Sequence, residues 1–166
     1  MGLSCKPGFC MVVFMKLLKK FIDQRDIFLL FGPVDILIKF NEVGNVEEFI
    51  DKWFDPIRMI GAEEDLITKT LSFITISKGP ELTGKPFAFV FVNVNPKHLE
   101  TVRTKLLKIP EVLSADSVFG PFDLICSLKV EDQIELETLV LLLQQITGVK
   151  NTMTSVVAGA NMLPDY

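Results

Sequence analysis

The sequence predicts an α+β chain of two consecutive halves, the second ordered strand–helix–strand–strand–helix–strand and the first a less regular copy whose opening strand is in question. Three observations carry that expectation. The pentapeptide Phe31-Gly32-Pro33-Val34-Asp35 returns 88 positions later as Phe119-Gly120-Pro121-Phe122-Asp123. Each copy lies between two apolar runs, the pattern of a hairpin whose Gly tolerates unusual φ and whose Pro fixes its own. A capped amphipathic helix then follows each copy, and a Thr/Val/Ile-rich stretch follows each helix.

The second half reads most clearly. Phe87–Val94 is apolar on both alternating faces as far as Asn93, as in a central strand covered on both sides. Asn95 can cap the next helix, with Pro96 at its first position and Leu99, Val102, Leu106 and Leu107 as its buried stripe. Pro110 stops that helix. The hairpin comes next, built from Val112–Phe119 and Phe122–Val130. Asp132 and Glu135 stand at the capping-box spacing ahead of Leu136, Leu139, Val140, Leu143 and Ile146, and Gly148 ends the helix. Lys150–Ala158 reads as the closing strand. This is the split βαβ, or ferredoxin-like, order.

In the first half, Ile27–Phe31 and Val34–Phe40 form the hairpin. Asn45 and Glu48 cap a helix faced by Val46, Phe49, Ile50 and Trp53, which Pro56 should kink or end. Thr68–Ser77 reads as one strand. The start stays open between two readings. The ungapped offset places residues 9–20 on a helix, with Cys10, Val13, Phe14, Leu17 and Phe21 at helical spacing; the half then lacks its opening strand, and its sheet must borrow one. Alternatively, Phe9–Met15 is that strand and Lys16–Gln24 a shortened helix. The spacing favours the first. The expected layout is residues 1–78 as a diverged first repeat, 79–86 as a Pro/Gly-rich linker, 87–159 as the second repeat and 160–166 as a tail.

Composition narrows the function. Of 166 residues, 49% are hydrophobic, 14 of them Phe, and mean hydropathy is +0.39, which excludes intrinsic disorder. Seventeen basic against 21 acidic residues give a net charge of −4, and the arginines are Arg25, Arg58 and Arg103. A phosphate-neutralising surface is hard to assemble from that set, so direct nucleic-acid binding is not expected. No apolar run approaches the roughly 20 residues of a spanning helix. Lys6 stands where myristoylation wants Ser or Thr, and Lys16, Lys19 and Lys20 follow the apolar stretch that a signal peptide would place after its charges. A cytoplasmic protein is expected. Cys5, Cys10 and Cys126 show no metal-type spacing and read as free thiols.

Catalytic signals are sparse. Gly79–Lys85 matches the G-x-x-x-x-G-K spacing of a phosphate loop, but Pro86 replaces the required Ser or Thr and a strand follows in place of a helix. His98, the single histidine, sits in a first helical turn, and Glu47/Glu48 and Glu63/Glu64 read as solvated pairs. No enzyme, cofactor or metal site is expected. The paired aspartates differ. Asp35 and Asp123 interrupt apolar hairpins at matched positions, either to accept nearby backbone N–H groups or to receive an ammonium group while glycine amides receive a carboxylate.

FAFVFVNVNPKHLETV, KLLKIPEVLSADSVFGPFDLICSLKV and LLLQQITGVKNTMTSVV, spanning about 72 residues from Phe87, resemble the effector (RAM) domain of Lrp/AsnC-family regulators. The first half resembles it mainly through FGPVDILIKF. The resemblance implies two ferredoxin-like repeats packed sheet to sheet as a barrel-like pseudo-dimer. It also implies amino-acid-type effectors bound near the hairpin at Gly120, Pro121 and Asp123, and more weakly at Gly32 and Asp35. Phe119 and Phe122 stand where Thr and Tyr are usual, removing two hydroxyls, and Phe31 and Val34 depart likewise. No helix-turn-helix segment stands ahead of the first half. The implied protein is a stand-alone tandem module that senses a small molecule and forms a homo-oligomer or pairs with family regulators. The alternatives are a ligand-free assembly module or, less favoured, an enzyme on the same fold.

Overall fold

A computed structural model describes residues 1–159 except 21, 42, 63, 64 and 83. The expected tail, Phe21 of the first helical stripe, the Glu63/Glu64 pair and Thr83 of the Gly79–Lys85 segment lie outside the described residues. The chain divides into two compact units, 1–72 with 158–159, and 73–157.

The first unit runs β1 (Gly2–Cys5), α1 (Cys10–Lys20), β2 (Ile27–Phe31), β3 (Ile36–Ile38), α2 (Val46–Phe49), a π-helical turn (Ile50–Phe54), α3 (Asp55–Ala62) and β4 (Ile67–Leu71). Its antiparallel strands lie in the order β4-β1-β3-β2. The opening strand is therefore present at Gly2–Cys5, ahead of the segment in which it was sought. Residues 9–15 are no strand; Cys10–Lys20 is the helix that the ungapped offset favours. Leu3 and Cys5 send alternate side chains into a core with Phe14, Leu17, Ile36, Ile38 and Ile57, each of these five almost fully buried. Four residues with two inward side chains give too short an alternation to read as a strand without its partners.

Pro56 neither ends nor breaks its helix. The chain widens into the π-helical turn one residue earlier, where the Asp55 N–H donates to the Ile50 carbonyl, and helix resumes through Ala62. A wider turn absorbs the hydrogen bond that proline cannot make.

The second unit runs β5 (Ile74–Ser77), β6 (Ala88–Val94), a 3₁₀ turn (Pro96–His98), α4 (Leu99–Leu106), β7 (Val112–Phe119), β8 (Leu124–Leu128), α5 (Gln133–Gln144) and β9 (Val149–Val157). Its order is β9-β6-β8-β7-β5, antiparallel throughout. Residues 68–77, expected as one strand, are two. β4 pairs with β1 in the first unit, and β5 extends the second sheet along β7, with Ile74 opposite Phe119. The second unit thus starts at Phe73, ahead of the expected linker. Gly79 is held there closely: its N–H donates to Asp116 Oδ1 at 2.6 Å, and a Cβ would lie 2.9 Å from the Ala115 nitrogen. Arg103 donates to the carbonyls of Ala115 and Lys78, fastening the same segment.

Val90, Val92, Val102, Leu106, Leu124, Leu128 and Leu143 form the core between this sheet and its helices. Phe91, on the other face of β6, packs against Phe122 and Phe73 with ring centroids 5.3 and 5.9 Å away. The caps expected in the two halves form alike. Asn45 Oδ1 accepts the Glu48 N–H at 2.8 Å, and Asp132 Oδ1 accepts that of Glu135 at 2.9 Å. Each glutamate reaches back to the N–H preceding its cap, at Gly44 and Glu131. Each such cap contributes about 1 kcal/mol.

Two predictions follow from this packing. Gly148 has φ +106°, and a Cβ there would sit 2.5 Å from His98 Cβ. Gly148→Ala should therefore destabilise the second unit by about 1–3 kcal/mol, read as a lower urea midpoint; an unchanged midpoint would contradict the close packing. Burial pushes the Cys126 thiol from about 9 up to about 12. The native state keeps that proton while the unfolded chain releases it near pH 9, so the unfolded state binds fewer protons above this pH. Stability should fall as pH rises from about 9 toward 12, by up to ~1.4 kcal/mol per unit. Cys126→Ala should flatten this alkaline decline in denaturant titrations.

Candidate functional site

The two Phe-Gly-Pro-x-Asp segments fold alike. In the second unit the Asp123 N–H donates to the Val92 carbonyl at 3.0 Å, and Asp123 Oδ2 accepts the Val94 N–H at 2.8 Å. In the first, the Asp35 N–H donates to the Leu3 carbonyl at 2.9 Å, and Asp35 Oδ2 accepts the Cys5 N–H at 2.8 Å. The aspartate carbonyls accept from Val118 and Leu30 in turn. Each aspartate thus joins the hairpin to the end of the unit's opening strand, where regular ladder bonding stops. This is the backbone role the sequence allowed for.

The tips are exposed, and their side chains divide in the same way in both units. Phe31 and Phe119 point into solvent, 54% and 69% accessible, whereas Val34 and Phe122 are buried. Gly32, Pro33, Gly120 and Pro121 are exposed, and both aspartates are half-buried beneath them. Asn93 Nδ2 donates to the Pro121 carbonyl at 3.0 Å, steadying the second tip. Gly120, Pro121 and Asp123 are thus together at one tip of the second unit, and Gly32 and Asp35 at the matching tip of the first.

Other sequence features separate from these tips. Residues 79–85 run from strand to strand through Pro86, with no helix N-terminus behind them, so phosphate-loop geometry does not form. His98 is half-buried at the start of α4, packed where Gly148 approaches. A groove of about 380 Å³ lies along α5 and β9, lined by Gln133, Leu136, Glu137, Val140, Leu141 and Thr154. No helix among the described residues is long and apolar enough to cross a membrane.

Sequence spacing missed one grouping. Cys5, at the end of β1, and Cys10, at the start of α1, come together beside Asp35, with one potential ligand atom from each within 4.8 Å of the others. The intervening Pro7-Gly8 is the device. Gly8 has φ +84°, and the Phe9 N–H donates to the Lys6 carbonyl at 3.0 Å, the pattern of a Pro-Gly turn of type II. That turn folds the helix start back over the strand end. Pro-Gly between the two cysteines was the available signal.

Comparison with known proteins places the second unit. Residues 87–160 match the family model described as the Lrp/AsnC ligand binding domain. Among solved structures, TTHA0845 from Thermus thermophilus is similar at 26% identity, covering 45% of this chain and 94% of that one, with a TM-score of 0.42. Among curated proteins none matches. Residues 87–160, which carry the Asp123 hairpin and the Asp132-capped helix, are thus similar to the Lrp/AsnC ligand binding domain.

Proposed function

We propose that the chain is a non-enzymatic effector-binding and assembly module of Lrp/AsnC-type regulation. In this reading a small molecule of amino-acid type binds at the Gly120-Pro121-x-Asp123 tip and shifts the assembly state. The observation that carries it is the family match over the unit that holds this tip. Asp123 would receive the ammonium group and the exposed Gly120 amide the carboxylate, an arrangement suited to a zwitterion. Gly32 and Asp35 would form the weaker counterpart in the first unit. The matched aspartate bonds and helix caps of the two units support reading them as diverged copies of one module.

Exposed apolar side chains support the assembly half of the proposal. Ile74, Ile76 and Phe119 are 55%, 67% and 69% accessible, with Ile74 and Phe119 paired across β5 and β7. Ile134, Leu141 and Leu142 of α5 are also exposed. Such groupings commonly mark association surfaces. Partners would be further copies of the chain or Lrp/AsnC-type regulators, coupled to ligand by linkage.

A second reading, a ligand-free assembly module, draws on the Val94 N–H already engaging Asp123 Oδ2 and on the missing hydroxyls at Phe119 and Phe122. Calorimetric titration with an amino-acid panel, paired with light scattering, separates the two. Effector sensing predicts heat and a change in mass with at least one amino acid. It also predicts that Asp123→Asn, which keeps an acceptor for Val94 but loses the charge, abolishes the response without lowering stability by more than about 1 kcal/mol. No heat and no mass change across the panel would leave the ligand-free reading standing. Light scattering without ligand should already give more than one chain per particle, and a monomer would refute the assembly claim.

A further inference from the structure

We propose that Cys5, Cys10 and Asp35 form a site for a soft divalent cation of the Zn(II) class, placed where β1, α1 and the first hairpin converge. Two sulfurs and a carboxylate are a donor set suited to this ion, and three protein ligands leave a fourth position for water or another ligand. Around tetrahedral Zn(II), ligand atoms of these types would lie about 3.6–3.8 Å apart. The three groups already stand within 4.8 Å of one another, so closure asks for a contraction of about 1 Å.

The site is both held and reachable. Asp35 is fixed by the Cys5 N–H at its Oδ2 and by its own N–H on the Leu3 carbonyl, the kind of outer support that orients a metal-binding carboxylate. The Pro7-Gly8 turn fixes Cys10 over Cys5. Cys5 is buried at 7% accessibility, whereas Cys10 and Asp35 are half-buried, so a hydrated ion can approach from their side. The nearby Lys6 ammonium is directed over the Phe9 ring, 5.5 Å from its centroid.

The second unit provides an internal contrast. There Val94 occupies the place of Cys5, donating its N–H to Asp123, and Leu99 begins the helix that Cys10 begins in the first. The aspartate fastens its hairpin without any thiol. The cysteine pair is therefore surplus to that structural task.

Metal binding here must compete with protons on both thiols. Burial, then the neighbouring Cys10 and Asp35, push the Cys5 thiol up to about 12; burial, then Asp35, raises Cys10. Binding replaces two S–H bonds by two metal–sulfur bonds and releases two protons to solvent, so affinity should rise with pH.

Cobalt(II) titration of the reduced full chain, free of any histidine tag, provides the test, because thiolate-to-cobalt charge transfer reports sulfur ligation directly. The expected result is one cobalt per chain with a near-ultraviolet charge-transfer band that Zn(II) abolishes. Cys10→Ala should weaken binding by more than about tenfold, the loss that follows even from removing outer partners. Asp35→Asn, whose amide oxygen can still accept the Cys5 N–H, should weaken it comparably, while Cys126→Ala should leave it unchanged. In the unsubstituted protein, Zn(II) should slow alkylation of Cys10. Absence of the band, its survival in Cys10→Ala, its loss in Cys126→Ala, or alkylation indifferent to Zn(II) would each overturn the proposal.

Discussion

The architecture of each unit depends on one carboxylate. A four-strand unit of this order must join its hairpin to the opening strand at a point where the strand ends and ladder hydrogen bonding runs out. Asp35 and Asp123 solve this by donating their own main-chain N–H to the carbonyl of Leu3 or Val92 on the opening strand and accepting the N–H two residues further on, of Cys5 or Val94, on Oδ2. A buried backbone N–H without a partner would cost about 1–3 kcal/mol. Above it the Gly-Pro tip faces outward, with Phe31 and Phe119 left in solvent while Val34 and Phe122 pack inward. The feature that secures the fold thus also presents the candidate effector site.

This double use bears on what the tips can recognise. An aspartate with one oxygen engaged by the backbone gains a fixed orientation, which suits it to meet an ammonium group. The Thr and Tyr hydroxyls that accompany such hairpins in the resembling regulators are replaced by Phe119 and Phe122. Phe122 is instead part of an aromatic group with Phe73 and Phe91. A more apolar effector, or contact with another protein surface, suits that chemistry better than a strongly polar ligand. In the first unit, the matching aspartate has two sulfurs as neighbours, which the second unit lacks.

Much of the second unit was legible because its signals are local. The Asp132–Glu135 cap, the Asn95-Pro96 helix start, the Gly-Pro hairpin and the doubly apolar β6 each depend on residues a few positions apart, and each formed as read. The first unit was less legible at three places. β1 offers only Leu3 and Cys5 to the core, Pro56 is accommodated by a π-helical turn, and the stretch 68–77 divides between two sheets. The candidate tips could be named from the repeated pentapeptide, whereas the Cys5–Cys10–Asp35 grouping could not be found from cysteine spacing, since its third member lies 25 residues beyond Cys10.

The apolar excess, with 49% hydrophobic residues, required burial without a spanning helix, and the sequence by itself determined the order of strands and helices that supplies it in residues 87–158. It also determined that two hairpins share one turn, since Gly and Pro act within it, whereas each aspartate reaches the opening strand through the fold. Only the tertiary structure decided which short segments are strands. Gly2–Cys5 and Ile74–Ser77 are too brief to carry their own pattern and exist because β3 and β4, or β7, supply their hydrogen-bond partners. It alone decided that Asp35 lies beside two thiols, because a contact between distant residues is set by how strand, turn and helix pack, a property that no single stretch of sequence contains.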